Sequence, residues 1–381
     1  MFTSESVTRG HPDKLCDQIS DAVVGNFLRQ DPNARVMAEC AVSTGVVFLS
    51  VKFRAHASVD VGDVARGVIR SVGYEADGFN AKSCSIMTSL SEFSPLQEAR
   101  SNAAGNGEER TVEDQATLFG FACDHTPTYM PAPIVLAHAL ARGLDSARRK
   151  QLPYLAPDGK TQVGIEFKGR RPYRIHSVTI LASQRDADRP SPRALEMDLR
   201  DLVLAEAFAG EELRPDPQTR IAINPEGPIV RGGPAAHAGL TGRKTAVDTY
   251  GEFARHGGAA LSGKDLARID RIGAYAARQA ARAVIAAGLA ELCEVQLSYS
   301  IGLPGPVSVQ VETYGTGRLE EAEIARRVQA RFDFRIGPII ERLRLRELTE
   351  RDGGFLRELS AYGHFGRRDL ALPWEADVPL E

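Results

Sequence analysis

Long apolar runs, paired cysteines and excess charge are all scarce in this sequence, and each shortage excludes a class of protein. No apolar stretch approaches the roughly 20 residues needed to span a bilayer. The opening residues, "MFTSESVTRGHPDK", lack the apolar core of a secretory signal, so no signal peptide is expected. The five cysteines (Cys16, Cys40, Cys84, Cys123 and Cys293) are odd in number and far apart. That argues against a disulfide framework or a cysteine zinc site, and for a reducing cytoplasm. A formal net charge of −3 gives no reason to expect a nucleic-acid or membrane partner.

What is present suits a globular protein. The chain has 381 residues, 43% apolar and 25% charged, enough for two or three packed units with a substantial core. From Pro12 to Arg29, Leu15, Ile19, Val23 and Phe27 recur at four-residue spacing, which predicts a helix with Pro12 in its first turn. Three strand pairs follow the same plan. "RVMAECAV" and "VVFLSVKF" are joined by "STG", Thr161–Phe167 and Tyr173–Ser183 by "KGRRP", and Glu294–Ile301 and Val307–Tyr314 by "GLPGP". Helical segments lie near each, at Asp63–Val72, Pro192–Ala209 and Glu320–Leu343. An α+β fold using one architecture three times is expected, although chance hairpins in an ordinary α+β chain would look similar. The expected units are residues 1–110, 111–224 and 225–381.

Two polar stretches read as functional loops. Ser94–Glu113 is Gly- and Asn-rich and long for a connection, as lids are. Residues 232–270 gather Arg243, Lys244, Arg255, His256, Lys264 and Arg268 among many glycines, the composition of a polyphosphate cradle. "GAALSGKD" nearly matches a phosphate loop, but Asp265 stands where the Mg²⁺-binding hydroxyl belongs and no clear strand precedes it. Acids could hold a metal beside such phosphates. Asp13 and Asp270 sit at loop-to-helix junctions, where a plain helix-start acid is an equal reading. Glu39 lies within an apolar strand, where an acid is costly unless paired or bound to a cation. Asp158 and Lys160 stand on a Gly turn entering a strand. These residues imply a metal-dependent binder of a phosphorylated small molecule, and they leave its reaction open.

The same residues resemble the S-adenosylmethionine synthetase (methionine adenosyltransferase) family. The likeness runs through "FTSESVTRGHPDKLCDQISDAV", "MPAPIVLAHAL", "YLAPDGKTQV", "INPEGPIVRGGP", "AGLTGRKTAVDTYGEFARHGGAALSGKD" and "AYGHFGR". It implies three α+β units about a pseudo-threefold axis, and dimers, sometimes paired into tetramers, with active sites at the interface. The implied reaction is attack of the methionine sulfur on C5′ of ATP, followed by hydrolysis of the released triphosphate to pyrophosphate and phosphate. His11 would stabilise the triphosphate, with Lys160, Arg243, Lys244 and Lys264 on its phosphates. Asp13 and Asp270 would hold two Mg²⁺, Glu39 an activating K⁺, and Asp114 the adenosyl group. Asp158 and Arg268 would complete the nucleotide side.

The departures cluster on the acceptor side, at Lys52, Phe93, His237, Arg268 and Ile301. The family has an acid where this chain has His237, a Glu at Lys52 and a Gln at Phe93. Ile229 stands where the family stacks an aromatic on adenine, Arg268 replaces a Lys, and "TVEDQA" replaces "GAGDQG". Three readings follow: a synthetase that holds methionine by other means, a relative that adenosylates another acceptor, or a weakly active ATP-binding subunit of a hetero-oligomer.

Overall fold

Pro12 opens the first long helix with His11 as its N-cap, and the stripe Leu15, Ile19, Val23 and Phe27 is buried along it. The computed structural model describes residues 1–75, 78–93, 110–350 and 354–380. Its main helices are α1 (Pro12–Gln30), α2 (Val61–Val72), α3 (Ala132–Lys150), α4 (Pro192–Leu199), α5 (Ile269–Ala286), α6 (Glu321–Arg331) and α7 (Ile336–Arg342). The strands are β1 (Phe2–Val7), β2 (Arg35–Ser43), β3 (Val46–Arg54), β4 (Ser85–Glu92), β5 (Ala116–Cys123) and β6 (Leu155–Lys168). They continue with β7 (Arg171–Gln184), β8 (Arg220–Ile223), β9 (Gly239–Leu240), β10 (Leu292–Tyr299) and β11 (Ser308–Glu312).

The three expected hairpins form: β2 pairs antiparallel with β3, β6 with β7 and β10 with β11. They sit in three sheets, ordered β4-β3-β2-β9, β1-β6-β7-β8 and β11-β10-β5. Each sheet takes a strand from outside its own stretch of sequence. β9 joins the N-terminal hairpin, β1 joins the central one and β5 joins the C-terminal one. The contiguous units expected from sequence are therefore stitched together, because an unpaired sheet edge is satisfied by whichever strand lies beside it.

The helices correct a second expectation. The long helices on the sheets are α1 against β2 and β9, α3 against β1 and β6, and α5 against β5 and β10. Of the segments read from sequence as the hairpins' helices, Glu321–Arg331 does lie on its own hairpin, as α6 against β11, and the others pack elsewhere or break up. α2 lies on α1 and β4. The expected helix Pro192–Ala209 becomes α4 followed by a wider helical turn at Arg200–Leu204. Glu320–Leu343 splits into α6 and α7 around Phe332–Arg335. α5 carries an alanine-rich face that lets β5 approach closely: a Cβ on Gly120 would lie 2.0 Å from the Ala277 carbonyl carbon. One apolar core runs through the first and third sheets, and a separate one lies between α3, α4 and the β6–β7 hairpin. Among the described residues no helix is long and apolar enough to cross a membrane.

Candidate active site

Opposite its apolar stripe, α1 carries Asp13, Asp17 and Asp21, again four residues apart and so on one face. All three are buried, and each accepts a backbone N–H from the Gly-rich segment. Leu240 N donates to Asp13 at 3.0 Å, Gly242 N to Asp17 at 2.8 Å and Gly263 N to Asp21 at 2.8 Å. The helix therefore moulds the loop that carries the cations. Lys14 lies fully buried between Asp17 and Asp248. These two acids outweigh the burial that would lower its pKa, and they keep it charged. Its role is to brace the helix start, not to face a ligand.

A first cluster forms at the α1 N-terminus. Asp13 N–H donates to His11 Nδ1 at 3.2 Å. Lys244 Nζ donates to Asp13 Oδ2 at 2.6 Å, with Arg243 Nε 3.8 Å from the same carboxylate. Burial alone would raise the Asp13 pKa; the Lys244 and Leu240 hydrogen bonds overcome it and hold the carboxyl below its usual range. Asp158 sits at a register irregularity of β6, inside the strand and not on the turn expected from sequence. Its Oδ2 accepts from Gly233 N at 2.7 Å and lies 3.1 Å from His237 Nε2. The His11 and His237 rings are 5.0 Å apart. Burial pushes His11 down to about 4, with Lys244 and Lys160 assisting and the nearby Asp158 and Asp13 opposing. His11 is thus a neutral imidazole, able to donate a hydrogen bond without carrying charge.

A second cluster lies where β2, β3 and α5 meet. Lys264, bridged to Met37 of β2, donates to Asp270 Oδ2 at 2.9 Å. Arg268 pairs with Asp114 at 2.7 Å, and Arg35 holds both Glu113 oxygens at 2.8 Å. The Phe93 ring has the Lys52 ammonium 5.1 Å and the Arg268 guanidinium 5.7 Å from its centre, two cation–π contacts on one ring. Hydrogen bonds between Val112 and the 302–303 loop place Ile301 near this cluster, largely exposed. Asp265, the residue that broke the phosphate-loop pattern, is buried and accepts from Val36 N, a structural task.

The structure redistributes the sequence-based candidates. His237 was grouped with Lys52 and Phe93, yet it touches Asp158 and His11, whereas Lys52, Phe93 and Arg268 form their own stack. Asp13 and Asp270 were expected to share a metal centre. In one chain they belong to different clusters, because Gly263 and Arg271 attach to Asp21, roughly 12 Å farther along α1 than Asp13. Glu39 is exposed, since strand alternation turns it away from the buried Ala38 and Cys40, so the buried-acid argument for a cation there fails. Ile229 pairs with Ser183 at the end of the central sheet. Lys160 is exposed on β6, and its charge is felt by His11. The expected lid falls mostly outside the described residues. Reading the sequence missed Asp17, Asp21, Asp248, Arg35 and Arg271; the four-residue acidic spacing on α1 was the available signal for the first two.

Three sequence models match nearly end to end: the S-adenosylmethionine synthetase N-terminal domain at 1–95, its central domain at 109–229 and its C-terminal domain at 231–376. A protein of Acaryochloris marina named S-adenosylmethionine synthase is 46% identical, covering 99% of this chain and 94% of its own length. Proteins with the same name from Thermosynechococcus vestitus and Prochlorococcus marinus MIT 9313 are 45% and 46% identical over 98% of this chain, and over 95% and 94% of their own lengths. With this agreement in order and extent, the chain belongs to the S-adenosylmethionine synthetase family.

Proposed function

We propose that this chain transfers the adenosyl group of ATP to the sulfur of methionine, forming S-adenosylmethionine, and then hydrolyses the released triphosphate to pyrophosphate and phosphate. The observation that carries the reading is the convergence of His11, Lys160, Arg243 and Lys244 on the α1 N-terminus, beside Asp13. Cations and a helix N-terminus together favour the negative charge that builds on the departing triphosphate. Neutral His11 donates to that leaving group, Lys244 and Arg243 neutralise it, and Asp13 keeps both cations in place. The second cluster supplies Lys264 to the phosphates, Asp114 to the adenosyl group, and Lys52, Phe93, Arg268 and Ile301 to the acceptor.

The two clusters lie apart within one chain, which is the reason to place the complete site between two copies, each giving one half; pairing of such dimers into tetramers extends the same reading. Mg²⁺ prefers a carboxylate or two plus phosphate oxygens. Asp13 and Asp270 suit it: each is a buried carboxylate with a lysine alongside, ready to hand that lysine to a phosphate. When bound, Mg²⁺ would neutralise phosphate charge. Glu39 offers a single carboxylate, too little for K⁺ alone, so a potassium site there would draw on the second copy. A cytoplasmic location fits five free, buried cysteines.

The test is incubation of the purified protein with ATP, methionine, Mg²⁺ and K⁺, read by product mass. S-adenosylmethionine and equal amounts of pyrophosphate and phosphate are expected. Hydrolysis of added tripolyphosphate without adenosyl transfer to methionine would point instead to another acceptor, recognised by the Lys52–Phe93–Arg268 stack. Neither activity would leave an ATP-binding subunit.

A further inference from the structure

His11, Asp158 and His237 bring two imidazoles and a carboxylate to one place, with their ligand atoms all within 4.8 Å of one another. They come from three separate elements: the N-cap of α1, the irregular stretch of β6 and the loop before β9. His11 and Asp158 are buried, and His237 is half-buried at the opening. Two nitrogens and one carboxylate oxygen make a donor set for Zn²⁺ and its late first-row neighbours, not for Mg²⁺, which takes oxygen. From this geometry we infer a binding site for one such dication, distinct from the carboxylates Asp13 and Asp270.

Two details support it. Asp158 Oδ1 is buried and finds no hydrogen-bond partner among the described residues, while Oδ2 is oriented by Gly233 N–H. A metal-bound carboxylate is commonly held in this way by an outer donor. Ligands of a tetrahedral Zn²⁺ stand about 3.4 Å apart, given bond lengths of about 2.1 Å. His237 Nε2 and Asp158 Oδ2 are already 3.1 Å apart, so small side-chain rotations close the shell. Coordination through His11 Nε2 moves the ring proton to Nδ1, so a bound dication gives up the hydrogen bond that Nδ1 accepts from Asp13 N–H. Exposure of His237 leaves a fourth position open to water. The site exists because His237 stands next to Asp158; an acid at that position would give a carboxylate pair instead. A bound dication takes His11 and His237 out of use and blocks the α1 N-terminus.

Zn²⁺ titration of the full-length protein, without ATP or Mg²⁺ and against a chromophoric chelator, tests the site directly. One equivalent bound per chain is expected, with affinity lowered at least about 100-fold in His237→Ala, more than loss of an outer contact costs. His237 is only half-buried, so this variant should keep the wild-type thermal melt, and Asp158→Asn gives a second reading. Co²⁺ in place of Zn²⁺ should show four-coordinate ligand-field bands without thiolate charge transfer. Unchanged affinity in His237→Ala, thiolate bands that place the metal on a cysteine, or no stoichiometric binding would each overturn the inference. None of these readouts depends on which acceptor the protein adenosylates.

Discussion

The guanidinium of Arg271 holds both carboxylate oxygens of Asp21 at 2.8 Å, and neither side chain reaches solvent. This pair bolts α5 to α1, so it fixes Asp270 and Lys264 relative to the helix that carries Asp13. Removing one partner leaves an uncompensated buried charge. Arg271→Met and Asp21→Asn should each cost about 3–5 kcal/mol, and the double variant clearly less than their sum. Urea unfolding of the four proteins decides this; additive losses would contradict it.

Lys244 should matter to the reaction more than to the fold, since it is partly exposed and its partner Asp13 keeps the Leu240 N–H bond. Lys244→Ala should lower kcat for adenosyl transfer by about 10²–10³, the usual effect of deleting one group that stabilises transition-state charge. Steady-state kinetics beside a thermal melt separates the two roles. Equal loss of kcat and of folded protein would assign Lys244 to structure.

Gly239 makes the closest approach at the α1 N-terminus. A Cβ there would sit 2.2 Å from the Pro12 carbonyl carbon and 2.7 Å from Asp13 N. Gly239→Ala must push β9 off the helix and stretch the Leu240–Asp13 hydrogen bond. A displacement near 1 Å at such a site costs on the order of 10²-fold in rate. Wild-type kcat in this variant would show that the contact relaxes elsewhere.

His138 and His364 are fully buried, one beside Ser6 and the other beside Tyr275. Burial, helped by nearby Arg and Lys side chains, pushes both well below 6.5. The unfolded chain binds protons on them below that pH while the folded chain does not. Their contribution to stability is therefore complete above 6.5 and declines as pH falls. Asp248, which burial pushes up to about 7, acts in the opposite sense. The informative quantity is thus a difference: His138→Gln should reduce the acid-side slope of unfolding free energy by about 1.4 kcal/mol per pH unit. Identical slopes in variant and wild type would show that His138 takes up a proton in the folded state.

Much of the local structure was legible because it depends on neighbours in sequence. The apolar period of α1, the hairpin at "STG" and the N-terminal position of Pro12 all appear where they were read. Assigning a helix to each hairpin by proximity held only for α6 on β11. The long helices α1, α3 and α5 cover the sheets most extensively, because an amphipathic face packs wherever a sheet is uncovered, however distant in sequence.

For the site, residue types announced the chemistry: clustered cations among glycines, and acids at helix starts. Composition could not say which of them meet. Asp158 faces His237 only because β6 breaks register there and Gly233 lets the following loop fold over it. Phe93 stacks with Lys52 because β3 and β4 run side by side, and with Arg268 because α5 begins beside them. The sequence by itself determined the family, through motifs in order, and the first helix, the three hairpins and the kinds of groups available, through periodicity and residue chemistry. Only the tertiary structure separated the candidates into two clusters and set His237 against His11 and Asp158. Contacts across so many residues depend on how sheets trade strands and helices choose faces, and no local pattern encodes them.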